Sequence, residues 1–243
     1  MRTFYLTESG ERDRLSYVLD GLSAAMTAAN VTAEFFPKDR FRKLRLEVPK
    51  AYEAFFLSEL KEKLAEIIVV GYKYDFFAEK VRLSGLSDVE KELFLTAVIA
   101  ADLDDDKKYA LRFLELAEET SVDGVYHFRL QKLKEKWAEI AAMLPSYFGA
   151  ELYHNFMQYL IDDFRQEPVY VVGEQVFDER YNRKTPGVLS GEESALCCAK
   201  NILLSGGKEI HLVGDPAPAT GEFLSEFYGT NVFFHCGKEG LYV

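Results

Sequence analysis

The chain has 243 residues, 48% of them hydrophobic and 14% aromatic, so packing alone can bury a sizeable core without disulfide or metal crosslinks. Its 40 acidic and 29 basic residues give a net charge of −11, and an acidic surface repels nucleic-acid phosphates and anionic lipids. The most apolar segments, 67–70 and 93–101, are far shorter than the ~20 residues of a membrane-spanning helix. The N-terminus lacks the apolar run of a signal peptide. We therefore expect a soluble cytoplasmic protein with neither a membrane nor a nucleic acid as partner.

The first 49 residues predict a β-α-β-β unit. Residues 3–7 have the pattern of a strand, and the helix predicted over 11–30 carries apolar side chains at helical spacing. Strands predicted over 31–36 and 41–48 flank a turn-forming cluster at 37–40. In the second of these strands basic residues alternate with apolar ones, which favours a solvated strand face over an anion-binding patch.

Residues 50–167 predict a long helical middle of about five helices. The first helix extends over 50–81, with Gly71 marking a bend, and the second extends over 87–102 and opens with a capping box. The other three are predicted over 106–120, from an N-cap at Asp123, and from a first turn at Pro145.

Residues 168–243 predict a β-β-α-β-α-β unit. The elements are strands over 169–172 and 175–177, a helix from a capping box at Ser190 and Glu193 to 204, a strand over 209–213, a helix over 220–227 and a strand over 231–236. The expected fold class is therefore α+β, with regions 1–49, 50–167 and 168–243 differing in their content of helix and strand.

The loop 214–221 lies between a predicted strand and a predicted helix. Sheets of α/β proteins bind ligands beyond the carboxyl ends of their strands, and N–H groups at a helix start can receive an anion. The candidate residues of such a ligand loop are Gly214, Asp215, Thr220 and Gly221. The loop matches neither glycine-rich phosphate motif and contains two prolines, which lack an N–H donor. A plain connecting loop is therefore the competing interpretation.

Three possible metal or thiol ligands, His211, His235 and Cys236, lie on the last two predicted strands. Adjacent strands would bring them together as two or three ligands, but their spacing matches no metal motif, and ordinary strand residues are the favoured interpretation. The adjacent pair Cys197 and Cys198 is interpreted as reduced thiols in a helical core position. GxSxG, HExxH and CxxC motifs are absent. We expect neither a metal nor a cofactor.

Segment 122–130 reads VDGVYHFRL, and it resembles the GF-x-x-FRL signature of the YtxC-type sporulation proteins of endospore-forming bacteria. Later motifs of that family are similar, in the same order, to segments 151–156, 162–167, 208–211 and 229–236. Val125 stands where the family has Phe, and the cysteine-rich family ending is reduced to CGKEG at 236–240. The resemblance implies a sporulation-associated cytoplasmic protein of undefined biochemical activity.

The motif residues that form a candidate functional or structural cluster are His127, Phe128, Arg129, Glu151 and Tyr153. Phe128 is expected on the apolar stripe of its helix. Arg129 is expected to reach Glu151 or Asp163 on the next helix, because a bidentate Arg–carboxylate pair would hold two helices in register. The leading hypothesis is a non-catalytic protein that binds an unknown protein partner. The alternative is an enzyme or a nucleotide- or anion-binding module that uses the loop 214–221.

Overall fold

The computed structural model describes residues 1–9, 14–38, 41–164, 167–184 and 196–235. It confirms the α+β class. The strands are β1 Arg2–Ser9, β2 Thr32–Lys38, β3 Phe41–Val48, β4 Glu119–Ser121, β5 Pro168–Val172, β6 Gln175–Phe177, β7 Glu209–Val213 and β8 Val232–His235. The helices are α1 Arg14–Ala29, α2 Glu53–Glu66, α3 Lys73–Lys80, α4 Asp88–Ala101, α5 Leu103–Phe113, α6 Val122–Gly124, α7 Gln131–Met143, α8 Ala150–Asp162, α9 Cys197–Ser205 and α10 Pro218–Phe227.

The chain divides into two compact units, each made of two separate stretches. The first unit contains Met1–Lys73 and Asp104–Ile140, and the second contains Tyr74–Leu103 and Ala141–Val243. The three regions predicted from the sequence are divided where the content of helix and strand changes. The two units are divided by which residues pack together in space. Within the described residues, no helix has both the length and the apolar character needed to cross a bilayer.

The sheet of the first unit has the strand order β2-β3-β1-β4. β3 pairs antiparallel with β1 and β2, whereas β4 pairs parallel with β1. Alternate side chains on one face are buried, as the two-residue period of a strand requires. These buried residues include Phe4, Leu6, Leu44 and Leu46. α1 packs against β3 and α2, so this face belongs to the core of the unit.

The basic residues of β3 lie on the opposite face of the sheet. Lys43 pairs with Glu119 at 2.9 Å, and Arg45 lies 3.7 Å from Glu34. Both basic side chains are partly exposed. The predicted solvated strand face is confirmed for these two residues, because neighbouring carboxylates pair with them.

The helix predicted over 106–120 is wrong at its end. α5 ends at Phe113, and Glu119–Ser121 forms β4 instead. The backbone N–H of Tyr5 donates to the carbonyl of Glu118 at 2.7 Å, and Thr120 is 6% exposed. Pairing with β1 satisfies backbone groups that a longer helix would have satisfied internally, so the tertiary contact overrides the local pattern.

The helical run over 50–81 changes type near its middle. Ile67–Tyr72 is π-helical, lies between α2 and α3, and is buried throughout. Gly71, predicted to mark a bend, falls in this segment. π-Helical turns widen a helix locally and are frequent at functional sites.

The helix predicted from Pro145 begins later, at Ala150. The preceding segment pairs with Ser84 instead, because the N–H of Phe148 donates to the carbonyl of Ser84 at 2.9 Å. Gly85 follows with a φ of +92°, and a Cβ there would lie 2.2 Å from the carbonyl oxygen of Phe148. Only glycine fits this close approach.

The sheet of the second unit has the order β6-β5-β7-β8 and is separate from the first sheet. β5, β7 and β8 run parallel, and β6 completes a hairpin with β5. The predicted β-β-α-β-α-β order is confirmed over the described residues. The Ser190–Glu193 capping box lies outside them. α9 ends at Gly206, which has a φ of +65°, as expected for a glycine helix stop.

A buried carboxylate on α5 ties three segments of the first unit together. Asp106 is 1% exposed, and Lys73 and Trp137 are fully buried. Asp106 Oδ2 lies 2.7 Å from Lys73 Nζ and 2.8 Å from Trp137 Nε1, and Oδ1 lies 2.6 Å from Lys136 Nζ. Buried ion pairs are favourable only when further hydrogen bonds satisfy the charges. The indole and the second ammonium supply those bonds here.

Replacing Asp106 with Ala should lower the free energy of unfolding by about 3–5 kcal/mol, because Lys73 loses a carboxylate while its charge stays buried. Trp137 is the only tryptophan of the chain, so its fluorescence in a urea titration reports on this cluster directly. The matched control is Asp105→Ala. Asp105 is exposed and pairs with Lys108, so its loss should cost less than about 1 kcal/mol. Equal losses from the two variants would contradict the role of Asp106.

A second carboxylate of the first unit joins α1, α2 and α5. Glu66 Oε2 accepts hydrogen bonds from Tyr17 Oη at 2.9 Å and Lys63 Nζ at 2.8 Å, and Oε1 accepts one from Lys107 Nζ at 3.0 Å. Burial opposes the charged form of Glu66. The two ammonium groups outweigh this effect and hold the pKa of the carboxyl below its ordinary value of 4.5.

A carboxyl with a lowered pKa in the folded state adds stability above its ordinary pKa, and this stability is lost as the pH falls through the lowered value. The loss of stability caused by Glu66→Gln should therefore be largest at neutral pH and should shrink below pH 4.5. Urea denaturation across this pH range measures it. Glu62→Gln is the control, because Glu62 contacts the same Lys107 but is more exposed. An unchanged Glu66→Gln difference at low pH would show that packing, and not charge, explains the loss.

Candidate functional site

The motif segment Val125–Arg129 is π-helical and follows the single turn of α6. The start of α6 is capped by Ser121, whose hydroxyl accepts the N–H of Gly124 at 3.0 Å. The N-cap predicted at Asp123 is therefore wrong. The Asp123 carboxylate accepts the N–H of Ser9 at 2.6 Å and the hydroxyl of Tyr72 at 2.7 Å, so it fixes α6 to β1 and to the other π-helical segment.

Tyr126 anchors the motif segment in the core of the first unit. Its ring centroid lies 4.6 Å from that of Tyr72 and 6.2 Å from that of Trp137. Phe128, two residues further on, is 83% exposed. The expectation that Phe128 lies on the apolar stripe is wrong, because Val125 and Tyr126 take the buried positions and leave Phe128 on the solvent side.

Arg129 does not have the partner expected from the sequence. Its Nη1 lies 3.2 Å from Glu115 Oε2, and the two side chains are 48% and 81% exposed. The expected partners, Glu151 and Asp163, are replaced by a carboxylate that follows α5. An exposed pair of this kind contributes ~0–1 kcal/mol to stability, so the guanidinium remains available at the surface.

His127 is also exposed, and its carbonyl accepts hydrogen bonds from Lys134 Nζ at 3.1 Å and from Gln131. These bonds attach the motif segment to the first turn of α7. The segment thus presents three consecutive exposed side chains, a phenyl ring, an imidazole and a guanidinium, on a backbone that its neighbours hold in place.

The other two cluster residues, Glu151 and Tyr153, belong to α8 in the second unit. Tyr153 is buried and packs edge-to-face on Phe227, with ring centroids 5.8 Å apart. Burial raises the pKa of the Tyr153 hydroxyl, with nearby carboxylates adding to the effect. Glu151 is exposed in the first turn of α8. Each unit therefore holds part of the predicted cluster, and Tyr153 is a core residue.

A buried ion pair that no sequence motif predicts lies at the carboxyl ends of the parallel strands β1 and β4. Glu8 is 2% exposed, and its Oε1 lies 3.2 Å from Arg14 Nη1. The guanidinium of Arg14 stacks 4.4 Å over the ring of Tyr72, and burial raises the pKa of Glu8 although Arg14 opposes the shift. Glu8 continues the two-residue spacing of the apolar Phe4 and Leu6 along β1, and this spacing is the sequence signal for its burial.

The candidate ligand loop is shorter than predicted, because α10 begins at Pro218 and not at Thr220. Glu174, at the turn between β5 and β6, caps this helix start. Its Oε1 accepts the N–H of Ala217 at 2.9 Å, and its Oε2 accepts the hydroxyl of Thr220 at 3.4 Å. A carboxylate of the protein itself thus takes the position where an external anion would meet the helix.

The remaining loop residues differ in their surroundings. Gly214 has a φ of +87° and follows the end of β7, Asp215 is exposed, and Gly221 lies inside α10. Of the four candidates, Thr220 is the one hydrogen-bonded to Glu174.

Cys198 is buried in α9, as predicted for a core residue. Burial, with a contribution from Glu174, raises the pKa of its thiol to about 12. The thiol is therefore protonated at neutral pH and is a poor nucleophile. Cys197 is partly exposed, and Cys236 lies outside the described residues.

His211 and His235 lie side by side on the neighbouring strands β7 and β8. His211 Nδ1 is 2.8 Å from His235 Nε2. The sequence predicted that these two histidines would meet if their strands were adjacent, and the strands are adjacent. Among the described residues, no group of three or more His, Cys, Asp and Glu side chains is placed to hold a metal ion together.

Comparison with known protein families, with curated proteins and with solved structures found no match for this chain. The functional interpretation therefore depends on the geometry of the sites themselves. Two exposed arrangements carry it: the motif segment around Phe128 in the first unit, and the histidine pair in the second.

Removing the Glu174 cap should destabilise the second unit. Glu174→Ala takes the acceptor from the N–H of Ala217 and should cost about 1 kcal/mol of stability, measured by chemical denaturation. Glu179→Ala is the control, because Glu179 is exposed on the turn after β6 and should change stability by less than about 0.5 kcal/mol. If both variants have wild-type stability, Glu174 does not act as a cap.

Proposed function

We propose that this chain is a sporulation-associated cytoplasmic protein without catalytic activity, and that it acts by binding a protein partner through the motif segment. The observation that carries the proposal is the 83% exposure of Phe128. The sporulation setting rests on the resemblance of segment 122–130 to the YtxC-type family.

An exposed phenyl ring gives up the stabilisation that burial would supply, about 1.5–3 kcal/mol for a large apolar side chain. Single exposed apolar residues are common, but Phe128 belongs to a segment that Tyr126 anchors in the core. Its two neighbours in sequence, His127 and Arg129, are also exposed. Arginine and aromatic side chains on a rigid backbone are the typical anchors of protein interfaces.

The charge of the motif segment and of the start of α7 indicates the chemistry of the partner. Residues 127–136 contain four Lys or Arg side chains and one Glu, in a chain with a net charge of −11. Lys136 is bound to Asp106, while Lys132 and Arg129 are exposed. A complementary partner surface would have an apolar pocket for Phe128 with carboxylates around it.

The charged groups in the core of the first unit support a non-catalytic role. Asp106, Glu66 and Glu8 are bonded to side chains of neighbouring elements. General acid–base catalysis needs a titrating group within hydrogen-bonding reach of a substrate. These carboxylates serve as internal bonding groups instead.

Site-specific photocrosslinking tests the partner surface. The photoreactive amino acid p-benzoylphenylalanine is placed at position 128 in an endospore-forming host that carries this gene, and crosslinks are collected during sporulation. The matched control is position 159, because Tyr159 is 69% exposed and belongs to the second unit. We expect a protein adduct at 128 that is absent at 159, and a spore count reduced by Phe128→Ala. Identical crosslinking at the two positions would overturn the binding surface, and an unchanged spore count in a deletion strain would overturn the sporulation setting.

Activity screening tests the non-catalytic part of the proposal. The purified protein is assayed on phosphate esters, nucleotides and peptides, and no turnover is expected. Turnover that is abolished by Arg129→Ala, in a variant with wild-type circular dichroism, would show an enzyme whose site includes the motif segment.

A second candidate function is nucleotide or anion binding at the loop 214–221. One observation favours it: the start of α10 already receives a carboxylate, that of Glu174. On this hypothesis Glu174→Gln would free the site for phosphate or ATP, and a ligand at about 100 times its dissociation constant would add about 2.7 kcal/mol of stability. A thermal-shift panel on both proteins decides, and no shift in either protein would exclude this function.

A further inference from the structure

The histidine pair lies on the face of the second sheet opposite its buried residues. In the parallel register of β7 and β8, His211 pairs with Phe233 and Val213 with His235. The buried residues of β7, Ile210 and Leu212, alternate with these positions. Both imidazoles therefore lie on the same face of the sheet. His235 is level with Val213, two residues beyond His211 on β7, and His211 Nδ1 is 2.8 Å from His235 Nε2.

Aromatic neighbours hold the His211 ring in place. It stacks on Tyr170 at 4.8 Å with an interplanar angle of 18°, and on Phe233 at 5.1 Å with an angle of 21°. Tyr181 in turn lies against Tyr170 at 5.1 Å. His235 is exposed beside this stack. One imidazole is therefore preorganised, and the other is accessible to solvent.

We propose that His211 and His235 form a two-ligand binding site for a divalent transition-metal ion of the Cu²⁺, Ni²⁺ or Zn²⁺ type, with water in the remaining positions. Imidazole nitrogens bind such ions at about 2.0–2.1 Å, so two nitrogens on one ion are roughly 2.9–3.4 Å apart. The observed 2.8 Å separation is close to this range, but the two nitrogens face each other in a hydrogen bond. The exposed His235 ring must therefore turn so that both lone pairs point at one ion. Without a metal, the same nitrogens share a proton.

Both rings must be neutral to bind a metal. Burial holds the pKa of His211 below its ordinary value of 6.5, the neighbouring His235 adds to this effect, and Glu209 opposes it. The hydrogen bond between the rings places one N–H between the facing nitrogens, so metal binding requires that ring to transfer this proton through water to its other nitrogen.

The ligand set determines the class of ion. Imidazole suits copper, nickel and zinc, and the affinity order of divalent ions peaks at Cu²⁺. Calcium and magnesium require oxygen ligands, so they should not compete. Two protein ligands with open positions describe an exchangeable surface site.

Metal titration of the full chain without an affinity tag tests the site. The chain contains four histidines, so His127→Ala and His154→Ala are matched controls. His211→Phe keeps an aromatic ring in the stack, and His235→Ala changes an exposed side chain, so both variants should fold. CuCl₂ or NiCl₂ is titrated by calorimetry, and the Cu²⁺ complex is examined by electron paramagnetic resonance.

We expect one ion per chain with two nitrogen ligands. Either site variant should weaken binding on the order of 100-fold, because a second linked ligand acts at high effective concentration, and the controls should leave it unchanged. Binding that survives both site variants, or that is lost only in Cys236→Ser, would overturn the proposal, as would the absence of any binding. The outcome is independent of the partner surface in the first unit.

Discussion

The carboxylate of Asp106 is a charge in the interior of the first unit, and the arrangement around it follows from the need to neutralise that charge. Two ammonium groups and one indole N–H converge on its two oxygens. This geometry fixes the position of Trp137, whose ring lies against Tyr126. Tyr126 in turn fills the buried side of the motif segment, and Phe128 is left in solvent. The buried ion pair is thus connected, through the contact between Trp137 and Tyr126, to the segment that presents Phe128 at the surface.

The ionic groups of the first unit fall into two physical classes. Glu8 and Asp106 are buried and Glu66 is partly buried, and each is bonded to a side chain of a neighbouring element. Arg129 and Glu115 form a pair that solvent screens. Removing one partner of the first class destabilises the fold, because the charge that remains is shielded from the water that would solvate it. The second contributes little to stability and remains free to meet a partner, which is why the proposed binding surface lies at the motif segment.

The two faces of the sheet in the second unit carry different residues. Val169, Val171, Ile210 and Leu212 are buried on one face, and stacked rings with the histidine pair occupy the other. At the carboxyl ends of the parallel strands, where α/β proteins place ligands, Glu174 occupies the start of α10. The usual ligand position of this unit is therefore occupied by a side chain of the protein itself, and the proposed metal site lies on the ring-bearing face.

The sequence by itself determined the fold class and the position along the chain of nearly all strands, because these depend on periodicity. It also determined the capping box of Ser87 and Glu90 at the start of α4 and the glycine at the end of α9, because these depend on local hydrogen bonding. Only the tertiary structure decided that 119–121 is a strand, that Arg129 pairs with Glu115, and that His211 and His235 meet. These features depend on contacts between residues far apart along the chain, and strand order and register bring such residues together. The periodicity of the sequence determines on which face of its helix or strand a residue lies. The partner of that residue depends on which element packs against the face.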